Sequence, residues 1–179
     1  MRMKQHKRAN RGAVVLLLLC IGIQFVCMAQ DKKEPVSGEE AEIRALEDRF
    51  VAAFNAGDID AMMQNYVRDA SFVIFDVVPR KEYRGADVYR KDWEDFFSHF
   101  KGRPSITITD LGITADDNIG FSHSIQRIRG TDIQGRPVDR TVRVTDGYRK
   151  VGGKWLIALE HVSVPVDLAT GKAEPGPKP

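Results

Sequence analysis

The sequence predicts an α+β fold, and two observations carry that prediction. Between residues 41 and 100 the apolar side chains recur mostly at helical spacing, whereas after Pro104 the period changes to two. Helices followed by a run of hairpins indicate an antiparallel sheet with helices packed on one face.

The elements follow in order. In AEIRALEDRFVAAFNAG, Ile43, Leu46, Phe50 and Phe54 form one stripe, and Gly57 suits the left-handed position that ends a helix. Asp58 is a candidate N-cap for a short second helix, IDAMMQNY, with Ile59, Met62, Met63 and Tyr66 on one side. A strand, SFVIFD, and a loop, VVPRKEYRG, come next. The third helix begins near Ala86, carries Tyr89, Trp93, Phe96, Phe97 and Phe100 on one side, and stops at Lys101-Gly102 ahead of Pro104. Such a stripe is ordinarily core; Trp93 is also a candidate ligand contact. SITITDLGITA, GFSHSIQRIRG, RPVDRTVRVTDGYRK and KWLIALEHVSV then read as strands bounded by Gly, Asn, Asp or Pro.

The ends are read separately. MRMKQHKRANR is basic and AVVLLLLCIGIQFVCMA is apolar, the pattern of a secretory signal over residues 1–29 with small Ala29 at the cleavage edge. An uncleaved anchor is the alternative, since Ala13 to Ala29 sits at the short limit of a membrane span. Neither Cys20 nor Cys27 follows the small residues of a lipoprotein signal. Cleavage would remove Arg2, Lys4, Lys7, Arg8 and Arg11 and change the net charge from +2 to about −3. That removes the compositional case for nucleic-acid binding. It also removes both cysteines, and with them any disulfide or thiolate chemistry. The expected product is exported, periplasmic or secreted, with a linker at 30–40, one folded domain at 41–167 and a loose Pro/Gly/Lys-rich tail at 168–179.

Polar residues in the last strands raise the question of a site. Counting outward from a Gly152-Gly153 turn pairs Val151 with Lys154, Arg149 with Leu156, Thr145 with Glu160 and Val144 with His161. By that count Arg143, Thr145 and Glu160 share one face, while Asp146, His161 and Ser163 share the other as structural or interface residues. The preceding strand adds Ser122, Ser124 and Gln126 on a single face, which suits solvent or a polar pocket lining.

Several chemistries find no support. His99, His123 and His161 show no metal-ligand spacing, so no metal is expected. Ser163, His161 and Asp146 lack a glycine-flanked elbow, and no phosphate-binding or nucleotide fingerprint is present. No cofactor is expected.

EDRFVAAFNAGDIDAMMQNYVRDASFVIFD, YRGADVYRKDWEDFF and RVTDGYRKVGGKWLIALEHVSVPVD together resemble the SnoaL-like, ketosteroid-isomerase-like superfamily related to nuclear transport factor two. The E-H-x-S-x-P ending is most similar to SgcJ/EcaC-type proteins. The resemblance implies a cone-shaped roll of three N-terminal helices on a strongly bent antiparallel sheet, with an internal cavity and usually a homodimer. In the ketosteroid isomerases, a worked example of pKa tuning, an aspartate is the base, and a tyrosine and a protonated aspartic acid hold the oxyanion. Asp76 lies near the base position, and the second acid falls at or beside Thr145-Asp146. The first helix offers Phe50 and Phe54 where a tyrosine is expected, so steroid isomerisation is not implied. The same register puts Leu156, Ala158, Glu160 and Val162 on the cavity face, with Arg143 and Thr145 inside.

Two functional expectations result. One is a small-molecule enzyme with Asp76 as base, Arg143 meeting an anion or enolate, and Glu160 orienting it or acting as second acid. Trp93, Ser122, Ser124, Gln126 and Thr145 would line the ligand, which Arg143 would favour as an anion. The other is a non-catalytic ligand-binding or dimerisation module on the same scaffold.

Overall fold

The structure, a computed structural model, describes residues 37–78, 81–173 and 176. The expected signal segment lies outside the described residues. Among those described, no helix is long and apolar enough to cross a membrane.

Helix α1, Gly38–Ala56, starts earlier than its apolar stripe requires. Ser37 caps it, its side chain accepting from the Glu40 N–H at 3.1 Å, so the first turn takes up part of the expected linker. At the other end Gly57 adopts φ 68°, and its N–H closes onto the carbonyls of Ala53 and Phe54. Asp58 caps α2, Ile59–Met63, by accepting from the Ala61 N–H at 2.9 Å. The short strands β1, Val73–Phe75, and β2, Tyr83–Arg84, flank the loop, and α3 spans Ala86–Ser98. The four long strands are β3, Ser105–Asp116; β4, Ile119–Thr131; β5, Pro137–Val151; and β6, Lys154–Ser163.

These strands form one six-stranded sheet in the order β2-β1-β6-β5-β4-β3. The sheet is mixed, not purely antiparallel as expected, because β1 runs parallel to β6, pairing Val73 with Leu159 and Phe75 with His161. The parallel pair is possible because α3 and two long hairpins separate β1 from β6 in sequence, giving the chain room to cross over. The start of the expected tail is also ordered, as β7, Val166–Asp167, paired with β8, Lys172–Ala173.

The helices pack on the concave side. Ile43, Leu46, Phe50 and Phe54 of α1 meet Met62 and Met63 of α2, Tyr66 just beyond it, Tyr89 of α3, and Ile106, Trp155 and Ile157 of the sheet, all buried. Fully burying each such side chain stabilises the fold by roughly 1.5–3 kcal/mol. Of the aromatic stripe of α3 only Tyr89 is fully buried; Trp93, Phe96 and Phe97 are half-buried against the core, Trp93 meeting Phe54 edge-on at 5.7 Å and lying 5.4 Å from Tyr89.

The β5–β6 hairpin corrects the sequence count. Its turn is Gly152-Gly153 with φ 57° and 77°, the doubly left-handed geometry that makes glycine necessary there. Pairing follows the count from Val151–Lys154 to Tyr148–Ile157. It then slips, because Ala158 is an extra residue: Gly147 faces Leu159, Asp146 faces Glu160, and Thr145 faces His161. A slip of one residue exchanges the faces of everything beyond it on β6, whereas β5 alternates without a break and points Val142, Val144, Asp146 and Tyr148 inward. The physical reason lies on the far edge of β6. The segment after α2 bridges Ile157, whose N–H donates to the Asn65 carbonyl at 2.8 Å and whose carbonyl accepts from the Val67 N–H at 2.9 Å. Beyond the bulge, β1 takes over that edge.

Candidate functional site

With the bulge in place, the inner face of the sheet gathers acids. Asp146 and Glu160, cross-strand partners, both point inward and are 2% and 6% exposed. Asp76 continues the alternation that buries Ile74 and turns Phe75 outward. Glu47 lies on the apolar stripe of α1, four residues after Ile43, and is 2% exposed.

Glu160 is held by two buried tyrosines. The Tyr66 hydroxyl donates to its Oε2 at 2.8 Å, and the Tyr89 hydroxyl donates to its Oε1. Burial still dominates: removal from water pushes Glu160 up to about 7 despite those donors, with the charges of Asp76 and Glu47 adding to the rise. Burial raises Asp76 as well, opposed by the Val77 N–H that its Oδ1 accepts at 2.5 Å. Asp146 has no such help. Its Oδ1 is buried without a partner among the described residues, and burial, then Glu160 and Glu47, hold it well above the usual carboxylate range. Glu47 is also raised by burial, and accepts from the Tyr148 hydroxyl at 2.6 Å, which lies 2.7 Å from the Ser122 hydroxyl.

Asp76 and Glu160 line one cavity of about 260 Å³, walled by Phe50, Tyr89, Trp93 and Phe96. Gln126 reaches it from β4 and Asp92 and Asp95 from α3. Gln126 is 7% exposed, and among the described residues the one hydrogen bond of its side chain is long, 3.4 Å from Nε2 to Ser124 Oγ. No lysine or arginine lines the cavity among the described residues. A larger concavity of about 670 Å³ between α1 and the β5–β6 turn is open and gathers no comparable cluster.

The residues expected at a site therefore divide. Asp76, Glu160, Trp93 and Gln126 meet at the cavity. Ser122 and Ser124 are buried on the same face but sit behind it, Ser122 bound to Tyr148. Arg143 and Thr145, expected inside, are exposed on the outer face, and Arg143 makes no ion pair with Glu160. Asp146, expected outside with His161, is inside. His161 is exposed, its ring 5.7 Å from Phe75, and Ser163 is half-buried opposite Arg143. Leu156 and Ala158, expected on the cavity face, are half-buried, and Trp155 and Ile157 are the buried pair before the bulge. With Arg143 outside, no lysine or arginine among the described residues meets an anion in the cavity.

Sequence reasoning missed Tyr66, Tyr89 and Glu47. Each was visible as a polar atom on an apolar stripe, and the tyrosines passed for core because aromatic stripes ordinarily are. No group of three or more His, Cys, Asp or Glu side chains among the described residues could hold a metal.

Comparison with known proteins agrees with this architecture. The model of the SnoaL-like domain family matches residues 43–167. No curated protein matches. An NTF2-like protein of unknown function from Pseudomonas putida is 28% identical, with 81% of this chain and all of that chain covered and a TM-score of 0.70. A ketosteroid isomerase-like protein from Erwinia carotovora atroseptica is 21% identical over 71% of this chain and 96% of that one, TM-score 0.60. A nuclear transport factor 2-like superfamily protein from Salmonella enterica serovar Typhimurium is 15% identical over 75% and 96%, TM-score 0.65. The last two show the fold alone. The chain belongs to the SnoaL-like domain family, and its fold is the NTF2-like cone.

Proposed function

We propose that this protein binds a small molecule in the cavity beside α3 and acts on it by cofactor-independent general acid/base chemistry. The observation that carries the reading is the convergence of two carboxyl groups with raised pKa, Asp76 and Glu160, on one apolar-walled cavity. A base of raised pKa removes a proton near neutral pH, and a second carboxyl group poised at about 7 returns one. Asp76 is the base and Glu160, oriented by its two tyrosines, the acid. Isomerisation, dehydration and water addition all fit this pair.

One observation favours a non-catalytic binding module instead: Asp76 already accepts the Val77 N–H, as a loop-shaping carboxylate would. A single experiment separates the two. The protein is screened against metabolite extracts in D2O, reading thermal shift and deuterium uptake into any bound compound. The catalytic reading expects a shift with deuterium uptake that Asp76→Asn abolishes. A shift without uptake establishes the binding module, and no shift with any extract defeats both.

The basic and then apolar residues 1–29 support export, and the E-H-x-S-x-P ending supports placement with the SgcJ/EcaC-type members. Self-association as a homodimer is supported by the exposed Phe75, Phe121 and Leu159, which share the outer face of the sheet. Sedimentation of the protein with and without Phe121→Asp tests it.

A further inference from the structure

The walls of the cavity have a definite charge character. Four carboxyl groups reach it: Glu160 and Asp76 at its inner end, and Asp92 and Asp95 from one side of α3. Among the described residues that line the cavity, the only side chain with a basic group is His99, exposed and bonded through Nδ1 to the Asp95 carbonyl at 2.7 Å. Aromatic rings form the rest of the wall. Tyr89 and Trp93 lie 5.4 Å apart, and Trp93 and Phe96 meet edge to face at 5.5 Å. Carboxylates set among aromatic faces favour a cation over an anion, because ring quadrupoles add to the attraction.

Gln126 supplies an independent observation. It is more than nine-tenths buried, it lines the cavity, and its Oε1 has no hydrogen-bond partner among the described residues. That oxygen is accessible from the cavity, so a ligand that covers it is favoured when it donates a hydrogen bond to it. An ammonium group has three donors and no acceptor, which matches Gln126 Oε1 together with the carboxylates of Glu160 and Asp76.

We infer that the ligand of this cavity is an organic cation, a primary amine on a compact apolar body whose ammonium is received by Glu160, Asp76 and Gln126 and whose body stacks on Trp93 and Tyr89. This rests on the proposed binding site and names its substrate class. The mouth acids Asp92 and Asp95 attract the cation on approach, so binding weakens as salt rises.

Three probes of one shape test it on the full chain. Binding of 2-phenylethylamine, 2-phenylethanol and phenylacetate is measured by calorimetry at low salt near pH 7.5. The inference expects the amine to bind at least tenfold more tightly than the alcohol, with the carboxylate weakest. Asp92→Asn, at a half-exposed position that tolerates the change, should lower amine affinity about threefold and leave the alcohol unchanged; Gln126→Leu should narrow the amine preference further. If the alcohol or the carboxylate binds as tightly as the amine, the cation inference is overturned while the binding site stands. If none of the three binds although an extract component does in the deuterium experiment, the inference fails and the site does not. If nothing binds in either experiment, both fail.

Discussion

The two faces of one sheet differ in everything except backbone. The inner face beyond the bulge carries Asp146, Glu160 and Gln126, each nine-tenths buried, with tyrosines as donors and no described cation. The outer face at the same level carries Arg143, Thr145 and His161, all exposed. β5 alternates without a break, so Asp146 points inward with Tyr148, and the one extra residue on β6, Ala158, brings Glu160 to the same face. The acids are thus kept apart from the guanidinium that sequence alone would pair with one of them, and unpaired burial is what raises their pKa.

The largest break in that comparison comes from inserting one residue between Gly147 and Tyr148. The insert would pair with Ala158, remove the bulge and turn Asp146 and Glu160 outward and Thr145 and His161 inward, and the expected cost is several kcal/mol, enough to unfold a domain of ordinary stability. Urea denaturation checks it, and an insertion variant of unchanged midpoint would show that this register does not set the faces.

Next in size is the pH dependence of stability. Glu160, Asp146, Glu47 and Asp76 all have folded values above their unfolded ones. The folded state therefore binds more protons, and stability must fall as pH rises from about 4.5 through about 7. Glu160 alone accounts for on the order of 3 kcal/mol of that fall. Glu160→Gln and Asp146→Asn should each flatten the decline, as followed by thermal unfolding between pH 4.5 and pH 8. A profile that rises over this range would mean that these acids are solvated or paired with cations.

Much of the fold was legible. The apolar stripe of α1, the left-handed Gly57, the Asp58 cap, the four long strands and the Gly152-Gly153 turn are all local signals, and each is where its signal puts it. Asp76 and Glu160 were also assigned inward, and they meet at the cavity. The partners of Glu160 were not legible. The bulge that sets Glu160 opposite Asp146 instead of Thr145 arises where the Asn65–Val67 backbone hands the edge of β6 over to β1, a long-range event with no mark in the hairpin sequence. Tyr66 and Tyr89 find Glu160 from 94 and 71 residues away.

A smaller effect sharpens the inner side. Tyr66→Phe should cost roughly 1.5–3 kcal/mol, the range for a hydrogen bond to a charged group, with the loss greater at pH 8 than at pH 5, because the donor stabilises the ionised carboxylate. Equal losses at both pH values would contradict a role for Tyr66 as donor to that anion. The smallest effect belongs to the outer face. Arg143→Ala should change stability by no more than about 0.5 kcal/mol and leave ligand affinity in the cavity untouched. A loss of binding in Arg143→Ala would return the arginine to the site and overturn the division of faces.

The most direct test is the titration of Glu160 itself, followed through its side-chain carboxyl carbon by NMR with Glu160→Gln to assign the resonance. The buried, cation-free arrangement predicts a midpoint near 7 that moves higher when Tyr66 or Tyr89 is changed to Phe. A midpoint at or below the ordinary value of 4.5 would contradict it.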